Sequence, residues 1–130
     1  MPIKVTRMFH AAVNTAGKQQ ECHEFYTNFL GLPEVPVDLP GLSVAPTDLP
    51  IFWLEKQGVQ LHVIASPRNE DPIDPVGNHV SWYVEDIDAA VAEVESRGLP
   101  MKAMGEGRRR IVWIQDPAGN TMELQQDPDC

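Results

Sequence analysis

Two stretches of this chain repeat one another, and that self-similarity constrains the fold more than any other feature. Gly31-Leu32-Pro33 closes one helical stretch and Gly98-Leu99-Pro100 closes another. Phe52-Trp53-Leu54 in the first half answers Val112-Trp113-Ile114 in the second. Gly58 precedes His62 by four residues, as Gly119 precedes Glu123, and Pro67 lies five beyond His62, as Pro128 lies five beyond Glu123. Matched landmarks at matched spacing mark a duplicated structural unit.

Each unit reads as βαβββ. Met8 to Val13 predicts a first strand, broken by Asn14-Thr15-Ala16-Gly17. From Lys18 to Leu30 the apolar residues Cys22, Phe25, Tyr26, Phe29 and Leu30 recur at helical spacing, predicting an amphipathic helix that Gly31 and Pro33 end. Residues 33–50 carry five prolines and two Asp-Leu-Pro tripeptides, Asp38-Leu39-Pro40 and Asp48-Leu49-Pro50. Each proline removes a ladder donor, so this stretch reads as a loop or lid with at most a short edge strand. Ile51 to Leu54 and Val59 to Ala65 predict two strands around a turn, and Ser66 to Gly77, with three prolines, reads as a linker.

The second unit follows the same plan. Asn78 to Val84 predicts a strand, and Asp86 caps a helix whose buried stripe is Ile87, Ala90, Val91 and Val94. Leu99 to Met104, Arg110 to Ile114 and Thr121 to Gln125 predict three more strands, the last entered through the turn Asp116-Pro117-Ala118-Gly119-Asn120. Neither half could bury its sheet alone, so the two pack together. The expected fold is α+β, one domain over residues 1–130 with modules at about 6–67 and 77–128.

Charge narrows the partners. The chain has 10 Lys and Arg against 19 Asp and Glu, a formal net charge of −9, which argues against nucleic acid and anionic membrane surfaces. No stretch reads as a signal peptide or a membrane span. Cys22 and Cys130 are too few and too distant for a disulfide framework and fit a reducing cytoplasm.

Three of the four histidines fall in strands at matched places: His10 and His79 in the first strand of each module, and His62 in the fourth strand of the first. Glu123 holds in the second module the place that His62 holds in the first. A pseudo-twofold axis would bring the two pairs to one centre. Three imidazoles and a carboxylate are ligands that Zn, Ni, Fe, Mn or Co accept. His23, on the first helix outside its apolar stripe, reads as solvated. By strand parity Ser81 and Tyr83 share the face of His79, Gln125 that of Glu123, and Gln60 that of His62, so these could line a pocket. Arg110, with Arg108 and Arg109, could hold an anionic substrate at its mouth.

The paired βαβββ units, Phe9-His10, Asn78-His79-Val80, Glu85-Asp86-Ile87-Asp88 and Asp116-Pro117-Ala118-Gly119-Asn120-Thr121-Met122-Glu123-Leu124 together resemble the vicinal oxygen chelate superfamily. That group includes glyoxalase I, methylmalonyl-CoA epimerase, extradiol dioxygenases and bleomycin-resistance proteins. The resemblance covers nearly the whole chain and is most specific from Asn78 to Gln125. It implies a half-open mixed barrel that holds one divalent metal on His10, His62, His79 and Glu123 and chelates adjacent oxygens of a small molecule. It also implies a homodimer.

Three readings follow. In the first, a metal-dependent lyase, isomerase or epimerase of glyoxalase type moves a proton beside a metal-bound carbonyl, with Glu123 as ligand and base. Glyoxalase I normally carries a carboxylate where His62 stands, a departure that sets a glutathione-dependent activity apart. In the second, His10, His79 and Glu123 form the two-histidine, one-carboxylate set of non-haem Fe(II) dioxygenases, with His62 uncoordinated. In the third, the chain is a metal-free binding or resistance protein.

Overall fold

Gln57 and Gly58 both take positive φ, 53° and 79°, and fold β3 (Ile51–Lys56) straight back onto β4 (Val59–Ile64). Two consecutive left-handed residues are what a two-residue hairpin needs to match the twist of its strands. The equivalent turn of the second half, between β7 (Ile111–Gln115) and β8 (Thr121–Gln126), is built on Asp116. Its carboxylate accepts from the backbone N–H groups of Ala118 and Asn120 while Gly119 takes φ 89°.

The structure is a computed structural model that describes residues 2–38, 51–67 and 72–130. The remaining strands among the described residues are β1 (Val5–Asn14), β2 (Glu34–Val35), β5 (His79–Val84) and β6 (Lys102–Met104), and these eight form one sheet in the order β2-β3-β4-β1-β5-β8-β7-β6. Read outward from the centre, each half repeats the same sequence of neighbours. β1 pairs in parallel with β4 and β5 in parallel with β8, while β1 and β5 join the halves antiparallel. This is the expected α+β duplication, an open mixed sheet of two βαβββ modules. The short edge strand expected within residues 33–50 is β2; both Asp-Leu-Pro tripeptides run into residues 39–50, outside the described part.

The two helices differ more than the repeat predicts. Asp86 caps α2 (Ile87–Ser96), its Oδ1 accepting from the N–H groups of Asp88 and Ala89. The stripe of Ile87, Ala90, Val91 and Val94 is buried against Val84, Val112 and Leu124, as expected. Asp86→Ala should lower stability by about 1 kcal/mol, read by chemical denaturation, because two N–H groups lose their acceptor. The first helix departs from expectation. Only Gln19–Glu24 is α-helical (α1), and Phe25–Phe29 widens into a π-helical turn. None of its residues is buried, and Phe25, Phe29 and Leu30 are 47%, 75% and 48% exposed. The Leu30 N–H reaches back to the Phe25 carbonyl, so the turn is wider than the 3.6 residues on which a buried stripe was expected. Gly31 and Gly98 still end the two helices in the left-handed region, at φ 67° and 66°. No described helix is long and apolar enough to cross a membrane.

The second strand of the second module is shorter than the expected 99–104, starting only at Lys102. The described ends of the linker between modules, residues 66–67 and 72–77, make contacts to both. The Asn14 side-chain amide donates to the carbonyls of Ser66 and Val76, and the Asp74 N–H donates to Thr121 Oγ1. Ile73 packs with Ile111 and Trp113.

Candidate metal centre

Pairing of β1, β5 and β8 decides which side chains meet. Ser81 on β5 lies opposite His10 on β1 and opposite Glu123 on β8, so all three project to one face. His79 lies two residues before Ser81 and shares that face. His10, His79 and Glu123 therefore converge, each buried, with one ligand atom apiece within 4.8 Å of the others. His10 Nε2 stands 3.3 Å from Glu123 Oε2, and His79 Nε2 stands 3.3 Å from Glu123 Oε1. Two atoms each about 2.1 Å from a shared ion lie roughly 3–3.5 Å apart, so this spacing leaves room for one ion held by all three residues.

The polar accounting also fits a cation. His79 Nδ1 is 2.9 Å from the Gly77 carbonyl, to which it can only donate, leaving the lone pair of the neutral ring on Nε2, toward Glu123. His10 is 1% exposed, and neither of its ring nitrogens has a hydrogen-bond partner among the described residues. A buried imidazole without a partner, beside lone pairs that face a carboxylate, is costly unless something positive sits between them. These three residues could hold a metal ion.

Glu123 is held from outside the cluster as well. The Trp113 indole Nε1–H donates to Oε1 at 2.8 Å, and the Gln125 side-chain amide donates to Oε2 at 2.7 Å. Burial alone would raise the Glu123 carboxyl, but the His79 and His10 rings beside it, which favour the ionised form whenever they carry a proton, and the Gln125 amide outweigh burial and lower it to about 2. Burial lowers His10 to about 4, against the pull of Glu123 and with the push of His79. Both groups thus stand at neutral pH in the protonation state a metal ligand needs.

His62 takes a different place from its expected one as a fourth ligand. Its ring is stacked between Trp53 (centroids 3.7 Å, 2° apart in plane) and His10 (3.6 Å, 23°). Its Nε2 faces the Gln60 carbonyl oxygen at 2.7 Å, and it lies outside the His10, His79, Glu123 group. Burial, then His10 and His79, lower its pKa strongly, so the ring is neutral.

Two cavities flank this layer and share Trp53 and Gln125 as walls. The inner one, of about 300 Å³, is lined by His10, His62, His79, Glu123 and Gln125 together with Ile51, Trp53, Ile64, Met104, Ile111 and Trp113. The outer one, of about 650 Å³, has Gln60, Tyr83, Arg108 and Arg109 in its walls. Of the expected pocket residues, Gln125 lines both cavities and Tyr83 the outer one, where its ring stacks on Phe9. Ser81 is fully buried between the ligand strands, its Oγ without a partner. Arg110 is drawn away to Asp88 on α2 at 2.6 Å and lines neither cavity among the described residues. His23 is exposed as expected, paired with Glu34.

Sequence reasoning passed over Trp113 as a contact of Glu123 and the Gly77 carbonyl as a contact of His79. The first was within reach, because the repeat equates Trp53 with Trp113 and His62 with Glu123. In both halves the tryptophan lies directly opposite its partner across the hairpin.

The acid sensitivity of the metal-free chain follows from the buried rings. An unfolded histidine binds a proton near pH 6.5, whereas His10 in the folded chain does so only near pH 4. The unfolded state therefore binds more protons between these values, and stability falls as pH drops from about 6.5 to 4. His10's share of the loss should be on the order of 3 kcal/mol, and the strongly lowered His62 adds to it over the same range. Denaturant midpoints across this range should show it, with a shallower slope in His10→Gln.

The comparisons with known proteins agree with this architecture. A family model described as the Glyoxalase/Bleomycin resistance protein/Dioxygenase superfamily matches residues 7–124. No curated protein matches the sequence. Among solved structures, methylmalonyl-CoA epimerase from Mycobacterium tuberculosis is similar at 21% identity and a TM-score of 0.66, covering 99% of this chain and 93% of that one. The E323L mutant of homoprotocatechuate 2,3-dioxygenase from Brevibacterium fuscum is similar at 17% identity and a TM-score of 0.67, over 96% of this chain but only 33% of that one. A superfamily member from Vibrio splendidus 12B01 is similar at 16% identity and a TM-score of 0.63, over 93% and 98% of the two chains. Likeness at these identities establishes the fold, while the family match covers most of the chain. The chain belongs to the glyoxalase/bleomycin resistance protein/dioxygenase superfamily.

Proposed function

We propose that this chain is a metal-dependent enzyme that binds one divalent ion on His10, His79 and Glu123 and acts on a small molecule carrying adjacent oxygens. The reaction class the geometry supports best is oxygen-dependent, that of a non-haem Fe(II) dioxygenase. The observation that carries this reading is the three-residue set itself. Two histidines and one carboxylate leave open positions, and His62 is turned into a stack and onto Gln60. A bound ion would supply Lewis-acid activation of the chelated oxygens and, as iron, access to oxygen chemistry.

The residues of the chain do the rest. Trp113 and Gln125 hold both carboxylate oxygens of Glu123, and the Gly77 carbonyl fixes the ring of His79, so the ligands are oriented before the ion arrives. The inner cavity takes the substrate. Its walls, apart from the ligands, His62, Gln125 and Ser66, are apolar, and no cationic side chain lines it among the described residues. An uncharged, compact substrate body suits such a space. One chain supplies all three ligands, so the set does not need a homodimer to complete it. The compartment that suits the free thiols of Cys22 and Cys130 is the cytoplasm.

A second reading, oxygen-independent proton transfer by a lyase, isomerase or epimerase, is favoured by the ionised carboxylate of Glu123 in the cavity wall. Glu123 would then be ligand and base together. Oxygen uptake separates the two. The metal-free chain, reloaded with Fe(II), Zn, Ni, Co or Mn, is given a panel of small molecules with adjacent hydroxyl or carbonyl oxygens. Oxygen consumption with iron alone supports the first reading, and turnover without oxygen supports the second. Ligand binding that ignores both metal removal and His10→Ala would overturn both and leave a metal-free binding protein.

A further inference from the structure

A polar chain runs from the surface to the metal layer along β3 and β4. Their register sets Trp53 opposite His62 and Glu55 opposite Gln60, while Gln60 and His62, two apart, share one face. The Gln60 side-chain NH2 donates to Glu55 Oε1 at 3.1 Å, and its carbonyl oxygen lies 2.7 Å from His62 Nε2. A carboxylate offers acceptors only, so Glu55 selects the NH2 end of the Gln60 amide. The carbonyl end must then face His62, and a carbonyl can only accept. The proton of the neutral ring therefore belongs on Nε2, and the lone pair on Nδ1. The stack between Trp53 and His10 keeps the ring from turning over.

The geometry points to Glu55 and Gln60 as positioning residues that set the tautomer of His62, so that its Nδ1 is the acceptor offered to a hydroxyl of the substrate in the 300 Å³ cavity. The offer to a substrate rests on the proposed function; the tautomer does not. Nothing in it depends on His62 gaining or losing charge. The exposed Glu55 acts on a buried ring through one amide, without touching ligand ion or substrate.

The test is two-bond proton–nitrogen NMR of the metal-free chain labelled at histidine nitrogens, at pH 7.5, with His62 signals identified by their loss in His62→Asn. The wild type should show a protonated Nε2 and an unprotonated Nδ1. In Glu55→Lys an ammonium replaces the carboxylate and turns the Gln60 amide over, so the two ring nitrogens should exchange their shifts. Gln60→Met should leave the two tautomers mixed. Glu55 is exposed, so its replacement puts no core contact at risk. A wild-type ring protonated at Nδ1, or a pattern that neither Glu55→Lys nor Gln60→Met moves, overturns the inference. Because the spectra need neither metal nor turnover, they stand or fall apart from the proposed reaction.

Discussion

Replacing Glu123 by Gln should abolish stoichiometric metal binding while leaving the fold in place. The substitution keeps the size of the side chain and removes the only negative charge among the three ligand residues. Two imidazoles alone offer no charge to a divalent ion, so the loss should exceed the roughly 10–100-fold that loss of an outer partner costs. Thermal melts read the effect without an activity assay. An ion at 100 times its dissociation constant stabilises the folded wild type by about 2.7 kcal/mol. For a chain of this length that shifts the midpoint by on the order of 10 °C. Glu123→Gln should show no such shift, yet should melt within a few degrees of the wild type when both are metal-free. A variant that still gains the full shift would remove Glu123 from the site.

Trp113→Phe should weaken metal binding by about 10–100-fold through a residue that never touches the ion. Trp113 is buried, and its Nε1–H donates to Glu123 Oε1 at 2.8 Å. Phenylalanine retains an apolar ring but no donor, so the carboxylate loses both orientation and one hydrogen bond. The metal-free chain should lose about 1 kcal/mol as well, the ordinary net worth of a buried hydrogen bond. Titration calorimetry with zinc measures the first effect and denaturant unfolding the second. A comparable loss of metal affinity in Trp53→Phe would contradict this, because Trp53 stacks on His62, and the indole that donates to Glu123 is that of Trp113.

The repeat made most of the fold legible. The strand-to-strand match between modules predicted eight strands in two equivalent groups, and strand parity alone placed Gln125 with Glu123 and Gln60 with His62. Asp86 announced α2 by its chemistry as a cap, and the stripe behind it followed the 3.6-residue period. That same period misled at Phe25 to Leu30. An apolar stripe does not say whether the backbone keeps its α-helical turn or widens into a π-turn, and the wider turn left Phe29 facing outward.

The site shows the same limit in side chains. Equivalence under the repeat assigned four residues to one layer, and all four are there. It carried no information on rotamers. His62 and Glu123 hold matching strand positions, but the imidazole lies flat between Trp53 and His10 while the carboxylate turns to His10 and His79. Arg110 shows the competing pull of a neighbour outside its own strand, since Asp88 on α2 holds a guanidinium expected at the pocket mouth. Such contacts between distant elements are set by packing, which neither spacing nor composition records.

A centre of three ligands with His62 beside it is tested most directly by metal stoichiometry. Metal content per chain should be measured after zinc loading and desalting for the wild type and for His10→Ala, His79→Ala, Glu123→Gln and His62→Ala. The prediction is one ion per chain in the wild type and in His62→Ala, and none retained in the other three. Loss of the ion in His62→Ala to the same degree as in the others, or its retention in all of them, would contradict it.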